Sequence, residues 1–279
     1  MRVARTIDLT VILMAAPQAY GSQQVAAAPI KNMAADANPA IAVATIKPSD
    51  PNRSAWTLGT KGTHFYTVGT NMNDLITFAY GVHAKQIVDG PAWFITDKFD
   101  IEGVPDAERK PNREQLKSML QGLLADRFKL AVHHDTRELA VYALTVAKNG
   151  PKLTKSTAAP DVYSGYGFPR EGAGTTMRVM NMTLAAFVSA MQRTVLDKPV
   201  VDQTGLTDRY DFTLNWTPDD SQFIQLRETG VTIPTGADDP NTPPGLYTAI
   251  QEQLGLRLDP AKAMADVIVV DHAEKPSAN

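Results

Sequence analysis

The densest run of metal-capable side chains is His133-His134-Asp135, and Asp271-His272 follows much later in the chain. Adjacent side chains on a strand point to opposite faces, so His133 and His134 could share one metal only across a bulge. A site would need one of them together with His64, His83, His272 or carboxylates, at the strict ligand number and geometry that metals demand. The plainer expectation is one histidine partly packed and one solvated. Asp271-His272 could supply two members of a catalytic triad, but no serine is tied to it, and convergent partners are what define a site. The chain has no Gly-x-Ser-x-Gly elbow. It has no Walker loop or dinucleotide fingerprint either, since Gly165 and Gly167 fall in a linker rather than between strand and helix. Cysteine is absent, which removes disulfides, thiolate nucleophiles and cysteine-held metals. No catalytic, cofactor-binding or metal-ligating residue is assigned, and no cofactor is expected.

Two carboxylates recur at matching places, four in all. Thr96-Asp97-Lys98-Phe99-Asp100-Ile101 is echoed by Thr207-Asp208-Arg209-Tyr210-Asp211-Phe212. Both hexamers read as a polar turn entering a strand with an aromatic residue facing in. Asp97, Asp100, Asp208 and Asp211 are expected to bond local backbone, with Lys98 and Arg209 adding solvated ion pairs of small value. Trp56, Trp93, Trp216, Tyr163 and Tyr166 could line a binding surface, although large aromatics more often serve packing.

The echo extends to the elements that would position these groups. Asn71 caps a helix with Met72, Leu75, Ile76 and Ala79 on one face, and Thr183 caps another with Leu184, Phe187, Val188 and Met191. Both stripes follow the i, i+3, i+4, i+7 spacing of a core-facing helix, and Asn and Thr oxygens suit the first-turn amides. Ile87-Val88-Asp89 matches Val200-Val201-Asp202. Asn112 and Gln115 have capping-box spacing ahead of Leu116, Met119, Leu120, Leu123 and Leu124. The counterpart is expected to start at Thr242-Pro243, carry Leu246, Ala249, Ile250 and Leu254, and stop at Gly255. Strands Leu130–His133 and Val141–Val146 close the first half; Leu256–Leu258 and Val267–Val270 close the second. The fold class expected is α+β: two degenerate βαββαβ units, each with helices packed on one face of a small mixed or antiparallel sheet. Residues 40–148 form the first unit, 149–175 a linker, and 176–275 the second unit with a loop insertion at 217–241. A strand from Ile41 to Lys47 precedes the first unit.

A net charge of −3, with 43% hydrophobic and 20% charged residues, describes an ordinary globular chain. It offers no electrostatic reason for a nucleic-acid or anionic-membrane partner. Arg2 and Arg5 precede the apolar stretch Leu9–Ala16, and Ala19 and Gly21 are small, so residues 1–21 read as an export signal. That stretch is too short to span a bilayer. Residues 22–39 read as a disordered tether.

Ala44-Thr45-Ile46-Lys47-Pro48-Ser49 resembles the opening of the soil-associated protein family, an uncharacterised bacterial family. The resemblance continues through Phe78-Ala79-Tyr80-Gly81-Val82 and Gly90-Pro91-Ala92-Trp93. It is strongest at Leu123–Leu130 and Thr136–Tyr142, and returns at Pro199–Asp202, Thr204–Thr207, Arg209–Phe212 and Asp271-His272. Membership implies an export signal and no assigned activity, and it transfers no catalytic residues. Related domains fused behind membrane metallopeptidases of the beta-lactam-sensor type imply a place outside the cytoplasm, periplasmic or secreted. Asn73-Asp74 departs from the aliphatic residues of many relatives, which implies a less buried helix start. The second helix–strand segment also loosely resembles the short protein-contact domains of secretins and TonB-dependent receptors. The function expected is a non-enzymatic module binding a protein or envelope component. The rival is an extracytoplasmic hydrolase using His133 or His134 with a carboxylate in the cleft between the two units.

Overall fold

Helix starts are set by side chains that satisfy the free first-turn amides. In the computed structural model, Asn71 and Asp74 form a reciprocal capping box, Asn112 and Gln115 form a second, and Thr183 accepts from the Ala186 amide. Such caps stabilise a helix by about 1 kcal/mol each. The structure describes residues 33–276 apart from 35, 51, 54, 55, 160, 161, 170–172, 229–232 and 234–241. The expected export signal lies outside the described residues, as do most of the expected tether and residues 229–232 and 234–241 of the 217–241 insertion.

The first half runs β1 (Ile41–Pro48), β2 (Thr57–Lys61), β3 (His64–Asn71), α1 (Met72–Tyr80), β4 (Ile87–Val88), α2 (Trp93–Thr96), β5 (Lys98–Pro105), α3 (Arg113–Arg127) and β6 (Ala131–Val146). The second runs β7 (Thr154–Lys155), β8 (Gly165–Gly167), β9 (Thr175–Thr183), α4 (Leu184–Thr194), β10 (Val200–Asp202), β11 (Arg209–Trp216), α5 (Ile224–Glu228), α6 (Leu246–Leu254) and β12 (Leu256–His272). The fold is α+β. Two outer sheets have the orders β1-β5-β3-β2 and β7-β11-β9-β8, antiparallel throughout. The third has the order β10-β6-β12-β4. Its central pair is antiparallel, and each flanking strand lies parallel to the long strand of the other half. Residues 149–175 supply the two edge strands, β7 and β8, of the second outer sheet.

Both outer sheets carry the same bulge. Gly69 in β3 and Asn181 in β9 have φ of 68° and 50°, and the ladders to β5 and β11 shift register there. Asp100 Oδ1 accepts from the Gly69 amide at 2.8 Å, and Asp211 Oδ1 from the Asn181 amide at 2.6 Å. The two aspartates therefore hold a bulge in the neighbouring strand rather than their own turn. Phe99 and Tyr210 face the core, at 6% and 4% exposure.

Two hydrophobic cores lie towards opposite ends of the long ribbon. The first joins Phe65, Leu75, Ile76, Phe99, Leu120 and Leu124 with Ile268 and Val270 of β12. The second joins Val179, Phe187, Leu214, Trp216, Ile250 and Leu254 with Tyr142 and Leu144 of β6. Each half is thus completed by apolar residues from the other. Fully burying one such side chain contributes about 1.5–3 kcal/mol.

Three expectations need correction. The strands expected at Leu130–His133 and Val141–Val146 are one continuous strand, and so are Leu256–Leu258 and Val267–Val270. Ladder pairing between β6 and β12 runs from Ala131↔His272 to Val146↔Leu256, so polar residues mid-strand do not break it. The helix expected from Thr242-Pro243 begins instead at Leu246 behind Gly245, without a side-chain cap, while Gly255 ends it at φ 66°. Met33, near the end of the expected tether, is buried, and its amide donates to the Lys110 carbonyl.

Candidate functional site

The ribbon formed by β6 and β12 leaves the cores at mid-length. There residues 133–138 and 140 are exposed, as are Lys262, Met264 and Asp266 on the other strand. β10 covers the outer edge of β6 only at Tyr142–Leu144, and β4 covers that of β12 only at Ile268–Val269. Tyr142 donates its amide outward to the Pro199 carbonyl. Its ladder partner is Pro260, which has no amide to give. Every second residue from there, including Ala140 and Glu138 on β6 and Lys262 and Met264 on β12, shares that outward orientation. Among the described residues no strand pairs with these positions. Glu138 and Met264 are directly paired, Met264 at 60% exposure.

The residues expected to do chemistry fall at one end of this ribbon. His133 Nδ1 lies 2.8 Å from Asp271 Oδ1, and His272 Nε2 lies 3.0 Å from Glu274 Oε1, all four side chains being about half-exposed. His134 is exposed and meets Tyr80 edge-on at 6.5 Å between ring centres. The histidine–carboxylate pair thus sits on the open ribbon rather than in a cleft between the halves. His64 faces Glu102 on the first outer sheet at 3.6 Å. His83 is buried as the cap of a short turn (Ala84–Gln86), and burial lowers its pKa to about 4. Among the described residues no group of three or more His, Cys, Asp or Glu side chains is arranged to hold a metal. Among the same residues no helix is long and apolar enough to cross a membrane.

The duplicated carboxylates are structural at all four places. Asp97 pairs with Lys275 at 2.7 Å and Asp208 with Lys155 at 2.5 Å. Lys98 and Arg209 turn to carbonyls instead, those of Arg53 and Asn181. Of the aromatics, Trp216 is wholly buried, with its indole N–H donating to Gln222 Oε1 at 2.8 Å. Tyr163 is 58% exposed, and Tyr166 stands at the junction of the halves.

Two side-chain clusters have no counterpart in the sequence motifs. In one, Tyr247 donates to Tyr142 Oη at 2.8 Å and Tyr142 donates to Asp197 Oδ1 at 2.9 Å, with Lys198 Nζ 3.3 Å from Asp197 Oδ2. Burial opposes the Asp197 carboxylate, but hydrogen bonds from Tyr142 and Lys198 outweigh it and the pKa is lowered. Burial raises the pKa of both phenols. Protonated phenols ending on an ionised acid form a strut that ties β6, α6 and the approach to β10 together. The other cluster gathers Arg113, Arg193, Tyr166 and Phe78. Neither could be found by spacing, because their members come from segments far apart in the chain.

This architecture defines an α+β protein in which, among the described residues, no further strand lies against the middle of the antiparallel ribbon between two cores. A sequence profile described as a protein family of unknown function, DUF3738, matches residues 73–273, and the chain belongs to that family. No curated protein and no solved structure matches the chain.

Proposed function

We propose that this is an exported, non-enzymatic binding module of the soil-associated type, which captures an extended segment of a protein partner by strand addition to the β6–β12 ribbon. One observation carries the reading: exposed, outward-facing main-chain groups on both ribbon edges, with no third strand among the described residues. Added strands gain main-chain hydrogen bonds from such an edge, and alternate side chains set specificity. Glu138 and Lys262 favour a segment of mixed charge and disfavour pairing between ribbons of like register. The matching strand orders of the outer sheets, and the matching bulges at Gly69 and Asn181, support an origin of the two halves as degenerate copies of one βαββαβ unit. Export rests on Arg2, Arg5 and the apolar run Leu9–Ala16. Mass spectrometry of the protein recovered outside the cytoplasm tests it, with a mature N-terminus at residue 22 expected and an intact Met1 refuting it.

Proline at an outward position deletes a main-chain donor while sparing the β6–β12 ladder, as the native Pro260 already does. Glu138→Pro and Met264→Pro are therefore expected to fold, and the one on the occupied edge to lose most of the partner that the wild-type chain captures from an envelope extract. Equal recovery of the same partner by the wild type and both proline variants would refute strand addition.

A further inference from the structure

A second feature, independent of the ribbon, lies where the halves meet. The ring of buried Phe78 in α1 is approached by two cations: Arg193 of α4 with its Cζ 5.2 Å from the ring centre, and Arg113 of α3 at 5.6 Å. Tyr166 of β8 shares both partners. Arg113 Cζ lies 5.4 Å from its ring centre, and Arg193 Nη2 donates to its hydroxyl at 3.1 Å. Both arginines and Tyr166 are partly exposed.

Among the described residues neither guanidinium has a carboxylate within ion-pairing distance. Asp74 is the acid whose charge reaches Arg193, but its Oδ2 is engaged by the Asn71 amide at 3.0 Å. Burial, and the like charge of Arg113, both press Arg193 towards losing its proton. A guanidinium cannot relieve that pressure by giving up its proton at ordinary pH. Cation–π contact offsets part of the cost, about 0.5–2 kcal/mol for each ring. Among the described residues the Tyr166 hydroxyl is the one acceptor bonded to either guanidinium, and an anion is the group that supplies acceptors and charge together.

The corresponding places in the other half underline the point. Counting from the helix caps Asn71 and Thr183, Asp74, Phe78 and Gly81 stand where Ala186, Ala190 and Arg193 stand. Arg193 thus faces a glycine in its counterpart, and Phe78 an alanine. Packing shared by both helices does not require the cluster.

We infer that Arg113 and Arg193, aligned by Phe78 and Tyr166, form a binding site for a dianionic oxyanion, a phosphate group either free or carried on a larger molecule. Two guanidinium forks match a tetrahedral group with several charged oxygens. The net positive charge of the pair selects a dianion over a single carboxylate.

Calorimetric titration of the full chain with inorganic phosphate at pH 7.5 and low chloride tests the site. Binding at a Kd of about 1 mM or tighter is expected, against no saturable binding of acetate. Arg113→Gln and Arg193→Gln are each expected to weaken it about tenfold or more, the loss of a charged hydrogen-bonding partner. Tyr166→Phe keeps the ring, frees Arg193 and is expected to change affinity less than either. Asp74→Asn removes the negative charge that reaches Arg193 and is expected to tighten binding, a gain that a damaged fold would not produce. If Arg193→Gln fails to fold, Arg113→Gln and Asp74→Asn still decide the matter through their opposite directions. Vesicles of phosphatidylcholine with phosphatidic acid separate the sources: vesicle binding that needs Arg113, with no response to free phosphate, assigns the anion to a lipid headgroup. No response to either probe at 10 mM phosphate group, or affinity unmoved by Arg113→Gln, overturns the site.

Discussion

Asp74 stores an electrostatic cost that one substitution should release. Its carboxyl lies in the first turn of α1, where Oδ2 accepts from the Asn71 amide at 3.0 Å. Burial raises its pKa from the ordinary 3.8 to about 6, against the opposing pull of the Asn71 amide, Lys98 and Arg193. The folded chain therefore holds a proton that the unfolded chain gives up across the window from 3.8 to about 6. Below that window both states are protonated and nothing is lost. As pH rises through it, the unfolded state is favoured, and above it the full penalty applies. At about 1.4 kcal/mol for each tenfold difference, the penalty at pH 7.5 is about 3 kcal/mol. Asparagine keeps an acceptor for the Asn71 amide and carries no charge. Asp74→Asn should stabilise the protein by up to about 3 kcal/mol at pH 7.5 and by almost nothing at pH 4. Urea unfolding of both proteins at half-unit steps between these limits gives the difference directly. A difference that is flat with pH, or a variant less stable at pH 7.5 than at pH 4 relative to wild type, would refute the buried ionised acid.

His83 should run the other way. Burial lowers its pKa from 6.5 to about 4, so its contribution is complete above 6.5 and is lost as pH falls towards 4, about 3 kcal/mol in all. His83→Asn keeps an acceptor for the Lys85 amide, and acid titration of its stability should lack that loss. Because the two groups oppose each other between pH 4 and 6, the wild-type stability curve should be flatter there than that of either variant. Asn112→Ala removes the α3 cap and should cost about 1–2 kcal/mol by chemical denaturation. Gly255→Ala should cost more, roughly 2–4 kcal/mol in the same assay. Its φ is 66°, and an added Cβ would strike the Gly150 carbonyl oxygen.

What could be read from the chain was local. Asn71, Asn112 and Thr183 announce helix starts through their own hydrogen-bonding reach, and Gly255 announces a stop through its backbone freedom. The hexamers beginning at Thr96 and Thr207 were legible as strand entries. Asp100 and Asp211 mislead, because the bonds they make cross to bulges some 30 residues earlier. The ribbon hid for a related reason: His134–Ala140 is polar on both faces, as a loop would be, and only pairing with β12 across more than 100 residues makes it a strand. The resemblance implies a less buried helix start at Asn73-Asp74, yet the carboxyl there is enclosed firmly enough to shift its titration. Spacing cannot bring Arg113 to Arg193, since only the packing of α1 between their helices does so.

The exchange of short strands explains why, among the described residues, the middle of the ribbon has no strand beside it. β4 leaves the first half to lie beside β12, and β10 leaves the second to lie beside β6. Each is only two or three residues long, so each covers the edge only beside the core it serves. The long strands beside them, β12 and β6, carry Ile268 and Val270, or Tyr142 and Leu144, into a core built mainly by the other half. Neither half can therefore unfold alone without exposing apolar surface in its partner, which makes one cooperative transition the expected behaviour. Mid-ribbon residues contribute little to either core, so substitutions there can vary main-chain recognition without spending the stability of the whole. Glu138→Pro should accordingly leave the urea midpoint nearly unchanged, while Tyr142→Ala, which opens the second core and strands Asp197, should lower it by about 3–5 kcal/mol equivalent. A proline variant as damaging as the tyrosine one would show that the ribbon is structural scaffolding rather than a surface kept free.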